Sequence, residues 1–119
     1  MIDLHTYSTP NGRMVSIMLE ECGLDYSTHV VDIRAGAQHN PEYRKINPNE
    51  KIPAIVDQDG PDGKPIRVFE TGAIMQYLAE KSGRFRGTEA VSKLECSQWL
   101  NLVTSGISPT VIQFFYFAF

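Results

Sequence analysis

Residues 51–57 read Lys-Ile-Pro-Ala-Ile-Val-Asp, a short apolar run that opens on a proline. The run has the length and the β-branched content of a buried strand. A proline at its start gives up a hydrogen bond of the strand ladder. A cis peptide bond at Ile52-Pro53 would instead turn the backbone of Ile52 towards a ligand, and cis bonds are almost confined to X-Pro pairs. We therefore expect a cis bond, with a trans proline at a strand start as the alternative.

Strand and helix signals alternate on the N-terminal side of this run. The pattern predicts a strand over 2–7, a helix that ends at Gly23, and a second strand over 26–32. Asn40-Pro41 predicts the start of a short helix to about residue 46, because Asn is a good cap and Pro suits the first turn. The apolar face of the first helix recurs at helical spacing: Val15, Met18, Leu19 and Cys22.

The C-terminal side predicts a hairpin and a further helix. Residues 58–65 contain two glycines and two prolines and indicate a turn, and residues 66–69 form the returning strand. A helix over 71–81 should point Ala73, Ile74, Tyr77 and Leu78 inward. The order is therefore βαβ, a short α, then ββα, in which a parallel pair and an antiparallel hairpin share one sheet. This is the plan of a thioredoxin-like α/β fold.

The last part of the chain has a different composition. Thr88 suits a helix cap, and we expect the helix to be interrupted at Ser105-Gly106 and again at Pro109. The chain then ends in a run of residues, 114–119, that are aromatic except for one alanine. We therefore expect a thioredoxin-like domain over residues 1–83, followed over residues 88–119 by the first part of a truncated all-helical domain.

Composition excludes several kinds of partner. The 119 residues carry a net charge of -3 without a basic stripe, which argues against nucleic acid. No apolar stretch reaches the roughly 20 residues that span a bilayer, and no secretory signal is visible, so we expect no membrane partner. The cysteines Cys22 and Cys96 and the three histidines have no metal-ligand spacing, so we expect no metal and a reducing, cytoplasmic location.

Three clusters carry the chemistry: Ser8-Thr9-Pro10-Asn11-Gly12, Lys51-Ile52-Pro53 and Glu70-Thr71-Gly72. In the predicted sheet all three lie where strand ends meet helix N-termini. Their order and spacing resemble the N-terminal domain of the glutathione transferases over roughly residues 1–83. The sequence is most similar to the Nu class, the disulfide-bond oxidoreductases of that family. There the turn T-P-N-G, the segment N-P-N-x-K-I-P-A-I-V-D and the helix start F-E-[ST]-G-A-I occur together.

The resemblance implies glutathione as co-substrate and assigns residues to its parts. Ile52, beside Pro53, would offer its backbone N–H and C=O to the cysteinyl part. Glu70 and Thr71 would hold the γ-glutamyl ammonium and carboxylate, since a helix N-terminus favours an anion. The alternative for this pair is an ordinary helix cap. The glycine end would be bound by Gln38 and Lys51.

The resemblance also implies that glutathione supplies the reactive sulfur. The turn that carries two cysteines in thioredoxins has none here. Donors aimed at a thiol shift it towards the thiolate, and Thr9 and Asn11 would have this role. A mechanism based on Tyr7 or Ser8 is the alternative, and a cap at the helix start is compatible with both.

Two functions remain open from the sequence. The first is a glutathione-dependent disulfide reductase or transferase. The second is a truncated, catalytically weak or inactive domain that binds glutathione or only dimerises. The family implies a homodimer, and the second substrate is not identified by any residue of this chain.

Overall fold

The computed structural model describes residues 1–119, which divide into two compact units, Met1–Ser82 and Gly83–Phe119. The first unit alternates strands and helices, with single 3-10 turns at Ala37–His39 and Pro61–Gly63. Its elements in chain order are β1 (Ile2–Thr6), α1 (Pro10–Cys22), β2 (Tyr26–Val30), α2 (Pro41–Arg44), β3 (Ala54–Asp57), β4 (Ile66–Phe69) and α3 (Thr71–Ser82).

The four strands form one sheet in the order β2-β1-β3-β4. β1 and β2 are parallel, whereas β3 is antiparallel to both β1 and β4. This arrangement confirms the thioredoxin-like fold that the sequence predicts. Three elements are shorter than predicted, since β2 ends at Val30, α2 ends at Arg44, and β3 begins at Ala54.

The core of the first unit lies between the sheet and the helices α1 and α3. The predicted inward face of α1 is correct, since all four of its residues are buried. In α3 the prediction was wrong at Ala73, which is exposed, and it missed Ala79, which is buried. The reason is that α3 packs against α1 as well as against the sheet, so its buried face extends to one side of Ile74 and Leu78.

From Ala90 to Ala118 the second unit is one helical run, which consists of α4 (Ala90–Asn101), a π-helical segment (Leu102–Ile107) and α5 (Ser108–Ala118). Glu89, not Thr88, is the N-cap of α4. The predicted interruption was also wrong. The Ser108 N–H donates to the Val103 carbonyl five residues back, and this wider turn carries the helix past Gly106 to Pro109. No helix in the chain has both the length and the apolarity needed to cross a membrane.

Candidate functional site

The three sequence clusters lie at one end of the sheet. The register pairs His5 with Ala54 and Ala54 with Phe69, so the ends of β1 and β4 flank the start of β3. The segments that adjoin these strand ends are 7–12, 50–53 and 70–72. The fold therefore carries the predicted site residues of all three clusters to the same edge.

Thr9 is the N-cap of α1. Its Oγ1 accepts the Gly12 N–H at 3.1 Å, and Pro10 lies in the first turn. The hydroxyl proton of Thr9 is not used in this bond and remains a donor. A side chain at Gly12 would place its Cβ 2.4 Å from both Thr6 Oγ1 and the Tyr7 carbonyl oxygen, so glycine is required for this close approach of α1 to β1.

The remaining polar side chains at this helix start have different surroundings. Asn11 is half-buried, and its side-chain amide makes no hydrogen bond within the chain, while the cap bond of α1 is made by Thr9. Tyr7 is also half-buried, whereas Ser8 is exposed and accepts a hydrogen bond from Arg13 Nη2 at 3.2 Å. Asn11 is thus a neutral amide that is free to donate, at a helix N-terminus.

The Ile52-Pro53 peptide bond is cis, which confirms the sequence prediction. Ile52 lies outside the strand ladder, because β3 begins only at Ala54. Its backbone N–H and C=O make no hydrogen bond within the chain. A free N–H and a free C=O on one residue are the pair that an added extended segment would use.

Glu70 connects β4 to α3 in a left-handed conformation with φ 74°. Its carbonyl oxygen accepts the Ile74 N–H at 2.9 Å and so closes the first turn of α3. The Glu70 carboxylate is exposed and Thr71 is half-buried, and neither side chain caps the helix. The N–H groups at the start of α3 are therefore open to an anion.

Gln38 and Lys51 lie on the segments that lead into this edge. Gln38 belongs to the 3-10 turn, and its Oε1 is buried without a hydrogen-bond partner in the chain. Lys51 is exposed. Ala37 and Ile52 pack against the same small cluster, so the two segments are adjacent; the cluster consists of Val31, Tyr43 and Ala54.

An ion-pair cluster that the sequence analysis missed fixes the loop before Lys51. Glu50 has a left-handed backbone with φ 57°, and its carboxylate contacts both His39 and Arg44. The hydrogen bond with His39 and the charge of Arg44 outweigh partial burial and hold the pKa of Glu50 below its ordinary value. No group of three or more His, Cys, Asp or Glu side chains is arranged to hold a metal ion.

Two further side chains, also missed, bind the backbone next to Ile52. The Lys51 carbonyl oxygen accepts a hydrogen bond from Tyr43 Oη at 2.5 Å and another from Asn47 Nδ2 at 2.8 Å. The other end of the Asn47 amide is also used, because Oδ1 accepts the Asn49 N–H at 2.9 Å. The Asn-Pro pair at 47–48 indicates a loop, but the sequence contains no signal for what the amide would bind.

The fold and this edge define a thioredoxin-like domain with a cis-proline beside the start of α1. A profile of the glutathione S-transferase N-terminal domain matches residues 9–81. The chain therefore belongs to the glutathione S-transferase family.

Its relatives include proteins of known structure. The chain is 45% identical over 118 residues to the disulfide-bond oxidoreductase YfcG of Escherichia coli, over 98% of this chain and 55% of YfcG. A glutathione transferase family member from Pseudomonas fluorescens, with two glutathione bound, superposes with a TM-score of 0.88 at 47% identity, over 91% of this chain and 48% of that chain. A glutathione transferase from Pseudomonas putida, with one glutathione disulfide bound per subunit, superposes with a TM-score of 0.88 at 46% identity. This match covers 91% of this chain and 47% of that chain. The chain thus spans about half the length of these relatives.

Proposed function

We propose that this chain binds glutathione at the edge described above, and that the protein uses the bound thiolate to reduce disulfides or to transfer glutathione. The observation that carries the proposal is the unpaired backbone of Ile52 beside a cis proline, on the same edge as Thr9 and the open start of α3. The glutathione ligands of the structural relatives support the same ligand for this edge.

Each part of glutathione has a complementary group at this edge. The cysteinyl part pairs with the N–H and C=O of Ile52 as a short added strand. The γ-glutamyl carboxylate faces the N–H groups at the start of α3 and the Thr71 hydroxyl, while Glu70 pairs with the ammonium. Gln38 contacts the glycine end, whose carboxylate Lys51 neutralises.

The thiol of glutathione then lies near Thr9 and Asn11. Hydrogen bonds to the sulfur and the positive end of α1 favour the thiolate, which is the nucleophile. The thiolate attacks a disulfide sulfur, forms a mixed disulfide and releases the other sulfur as a thiolate. A second glutathione thiolate attacks the mixed disulfide, which yields glutathione disulfide and the second reduced thiolate, so two electrons pass from two glutathiones to the substrate. If Asn11 does not donate to the sulfur, the hydroxyl of Tyr7 or Ser8 would supply the hydrogen bond that stabilises the thiolate.

The second candidate function is a domain that binds glutathione or dimerises without turnover. One observation favours it: α5 exposes a run of aromatic side chains. A homodimer would cover such an apolar surface. Cys22 and Cys96 are both free thiols, which fits the reducing cytoplasm that we propose as its location.

Calorimetric titration with glutathione, followed by a disulfide-reduction assay with excess glutathione, separates the candidates. Binding together with turnover supports the enzyme, whereas binding heat without turnover supports the second candidate. A Cys22→Ala/Cys96→Ser double variant is the matched control, because it should retain turnover if glutathione supplies the sulfur. Absence of any binding heat in the parent protein would refute both glutathione functions.

A further inference from the structure

The Lys51 carbonyl oxygen and the Ile52 N–H belong to the same peptide group. This peptide is trans, since the only cis bond follows Ile52. In a trans peptide the C=O and the N–H point in opposite directions. Because Tyr43 and Asn47 both donate to the oxygen, the N–H of Ile52 points away from them, where it has no acceptor in the chain.

We propose that Tyr43 and Asn47 are positioning residues, which clamp the Lys51 carbonyl and thereby aim the Ile52 N–H at the ligand. The inference rests on the proposed glutathione function, because it assigns the direction of the N–H that would bind the cysteinyl part. Neither residue touches the ligand in this arrangement. Both act through one peptide plane.

The two donors are themselves held in place. The residues Tyr43 and Asn47 are 6% and 1% exposed, and the Asn47 N–H donates to the Tyr43 carbonyl at 2.9 Å. The end of α2 therefore delivers both donors as one unit. The Asn47 amide cannot flip without losing its bond to the Asn49 N–H, and the Tyr43 ring packs against Val31 and Ala54. A clamp built this way holds its peptide before any ligand arrives.

The clamp also affects how well the N–H donates. Two hydrogen bonds to a carbonyl oxygen polarise the peptide and make its N–H a better donor. Burial raises the pKa of Tyr43 to about 12, so its hydroxyl proton is retained at any pH at which the protein works. The clamp is therefore constant, in contrast to the thiol that it helps to place.

The decisive variant is Tyr43→Phe, which keeps the ring and its packing and removes one donor. Tyr77→Phe is its matched control. It also removes a half-buried tyrosine hydroxyl, but the lost bond, to Asp57 at 2.6 Å, lies at the other end of β3. Both variants should lose stability, so stability alone does not test the proposal. The orientation of the Ile52 N–H does.

The direction of the N–H is measured without ligand, as the residual dipolar coupling of Ile52 in a ¹⁵N-labelled protein. We expect it to change in Tyr43→Phe and in Asn47→Ala, and to stay at the parent value in Tyr77→Phe. The glutathione dissociation constant should rise roughly threefold to tenfold in Tyr43→Phe, the effect of one hydrogen bond, and stay unchanged in Tyr77→Phe.

A parent-like coupling of Ile52 in Tyr43→Phe would overturn the inference, as would equal losses of affinity in Tyr43→Phe and Tyr77→Phe. A parent protein that binds no glutathione would refute the proposed function only. In that case the dipolar couplings, which need no ligand, still decide whether Tyr43 and Asn47 orient this peptide.

Discussion

The hydroxyl of Tyr77 on α3 donates a 2.6 Å hydrogen bond to the buried carboxylate of Asp57 at the end of β3. Lys81 Nζ lies 2.8 Å from the same carboxylate and also donates to the Asp59 carbonyl at 2.6 Å. The Asp59 N–H donates to Asp57 Oδ1 at 2.9 Å. This cluster joins α3 to the end of the sheet that lies opposite the candidate site.

Asp57→Ala should destabilise the protein by about 1–3 kcal/mol, because it leaves the half-buried Tyr77 hydroxyl and the Lys81 ammonium without their acceptor. The measurement is urea unfolding of the parent and the variant at neutral pH. Asp25→Ala is a suitable control, since Asp25 is exposed and outside the cluster. A loss for Asp57→Ala no larger than that of the control would contradict the structural role of the carboxylate.

The same carboxylate predicts a pH dependence. Burial opposes ionisation of Asp57, but the hydrogen bonds from Lys81, Tyr77 and the Asp59 N–H outweigh it and lower the pKa. A lowered pKa in the folded state means that the unfolded state binds the proton more tightly. The stability from Asp57 is therefore complete above its unfolded pKa of about 4 and is lost as the pH falls through the folded value. In acid unfolding experiments, Asp57→Asn should therefore not show the loss of stability that protonation of Asp57 causes in the parent.

His5 predicts a second pH effect near neutrality. Its ring is stacked on that of His29 at 4.8 Å, and burial together with the His29 charge lowers its pKa, although Asp3 acts in the opposite sense. The unfolded chain binds the proton more readily, so stability should fall as the pH drops through the ordinary histidine pKa of about 6.5. Melting temperatures between pH 7.5 and 5.5 should fall less in His5→Gln than in the parent.

Thr28→Gln is the control for this measurement, because Thr28 is exposed on the neighbouring strand β2 and has no titratable group. It should retain the parent's loss of stability on acidification. Equal losses in the parent and in His5→Gln would show that another group is responsible.

Most of the fold follows from periodicity. The face of α1 and the strands around Leu4 and Ile55 could be predicted because one buried face dominates each of them. The burial of Ala79 could not be predicted, because it depends on how α3 packs against α1, and the local sequence does not encode this packing. The helix through Gly106 and Pro109 was also missed. Glycine and proline usually end helices, and only the π-helical turn before them allows the helix to continue.

The site was predictable to the extent that its residues follow strand ends. The cis bond at Ile52-Pro53 was predicted correctly, but the loss of a ladder hydrogen bond is not its reason, because β3 begins only at Ala54. The hydrogen bonds from Tyr43 and Asn47 to the Lys51 carbonyl could not be predicted. They form only in the folded chain, and a tyrosine in a helix and an asparagine in a loop are both common. A hydrogen bond to a backbone carbonyl leaves no pattern in the sequence of either partner.

Glu70→Ala and Thr71→Ala should each weaken glutathione binding by about 1–3 kcal/mol, if the groups that they pair with stay shielded and unsatisfied. Calorimetry provides the test. Glu70→Gly is an informative companion, because φ 74° suits glycine better than glutamate. It should be at least as stable as Glu70→Ala while binding equally weakly. Parent affinity in both alanine variants would leave Glu70 and Thr71 without a binding role.

The aromatic end of α5 should promote self-association. Tyr116, Phe117 and Phe119 are 79%, 83% and 94% exposed, and such an apolar surface favours an interface. Phe117→Ser/Phe119→Ser should lower the weight-average mass in sedimentation equilibrium, or raise solubility if the parent is monomeric. Gln113→Ser on the same helix is the control. Equal mass and equal solubility in all three proteins would rule out this role.

Asn11 is the residue on which the proposed mechanism depends. A neutral amide at the start of α1 can donate to a thiolate without accepting its proton, so it lowers the pKa of the bound thiol while its own charge stays unchanged. In Asn11→Ala, turnover should therefore fall more than glutathione affinity, because Ile52, Glu70 and Thr71 hold the rest of the ligand. The pH at which bound glutathione ionises should rise. Thiolate absorbance of the complex against pH measures this directly.

Thr9→Ala separates the donor role from helix capping. Thr9 Oγ1 accepts the Gly12 N–H, so its loss should cost about 1 kcal/mol of stability in addition to any effect on the thiol. Asn11 makes no cap bond, so Asn11→Ala should leave stability near that of the parent and still shift the thiol titration. If the titration curves of the parent and Asn11→Ala coincide, the amide does not touch the sulfur, and the donor must be sought at Tyr7 or Ser8. Tyr7→Phe would then be expected to move the curve that Asn11→Ala left in place.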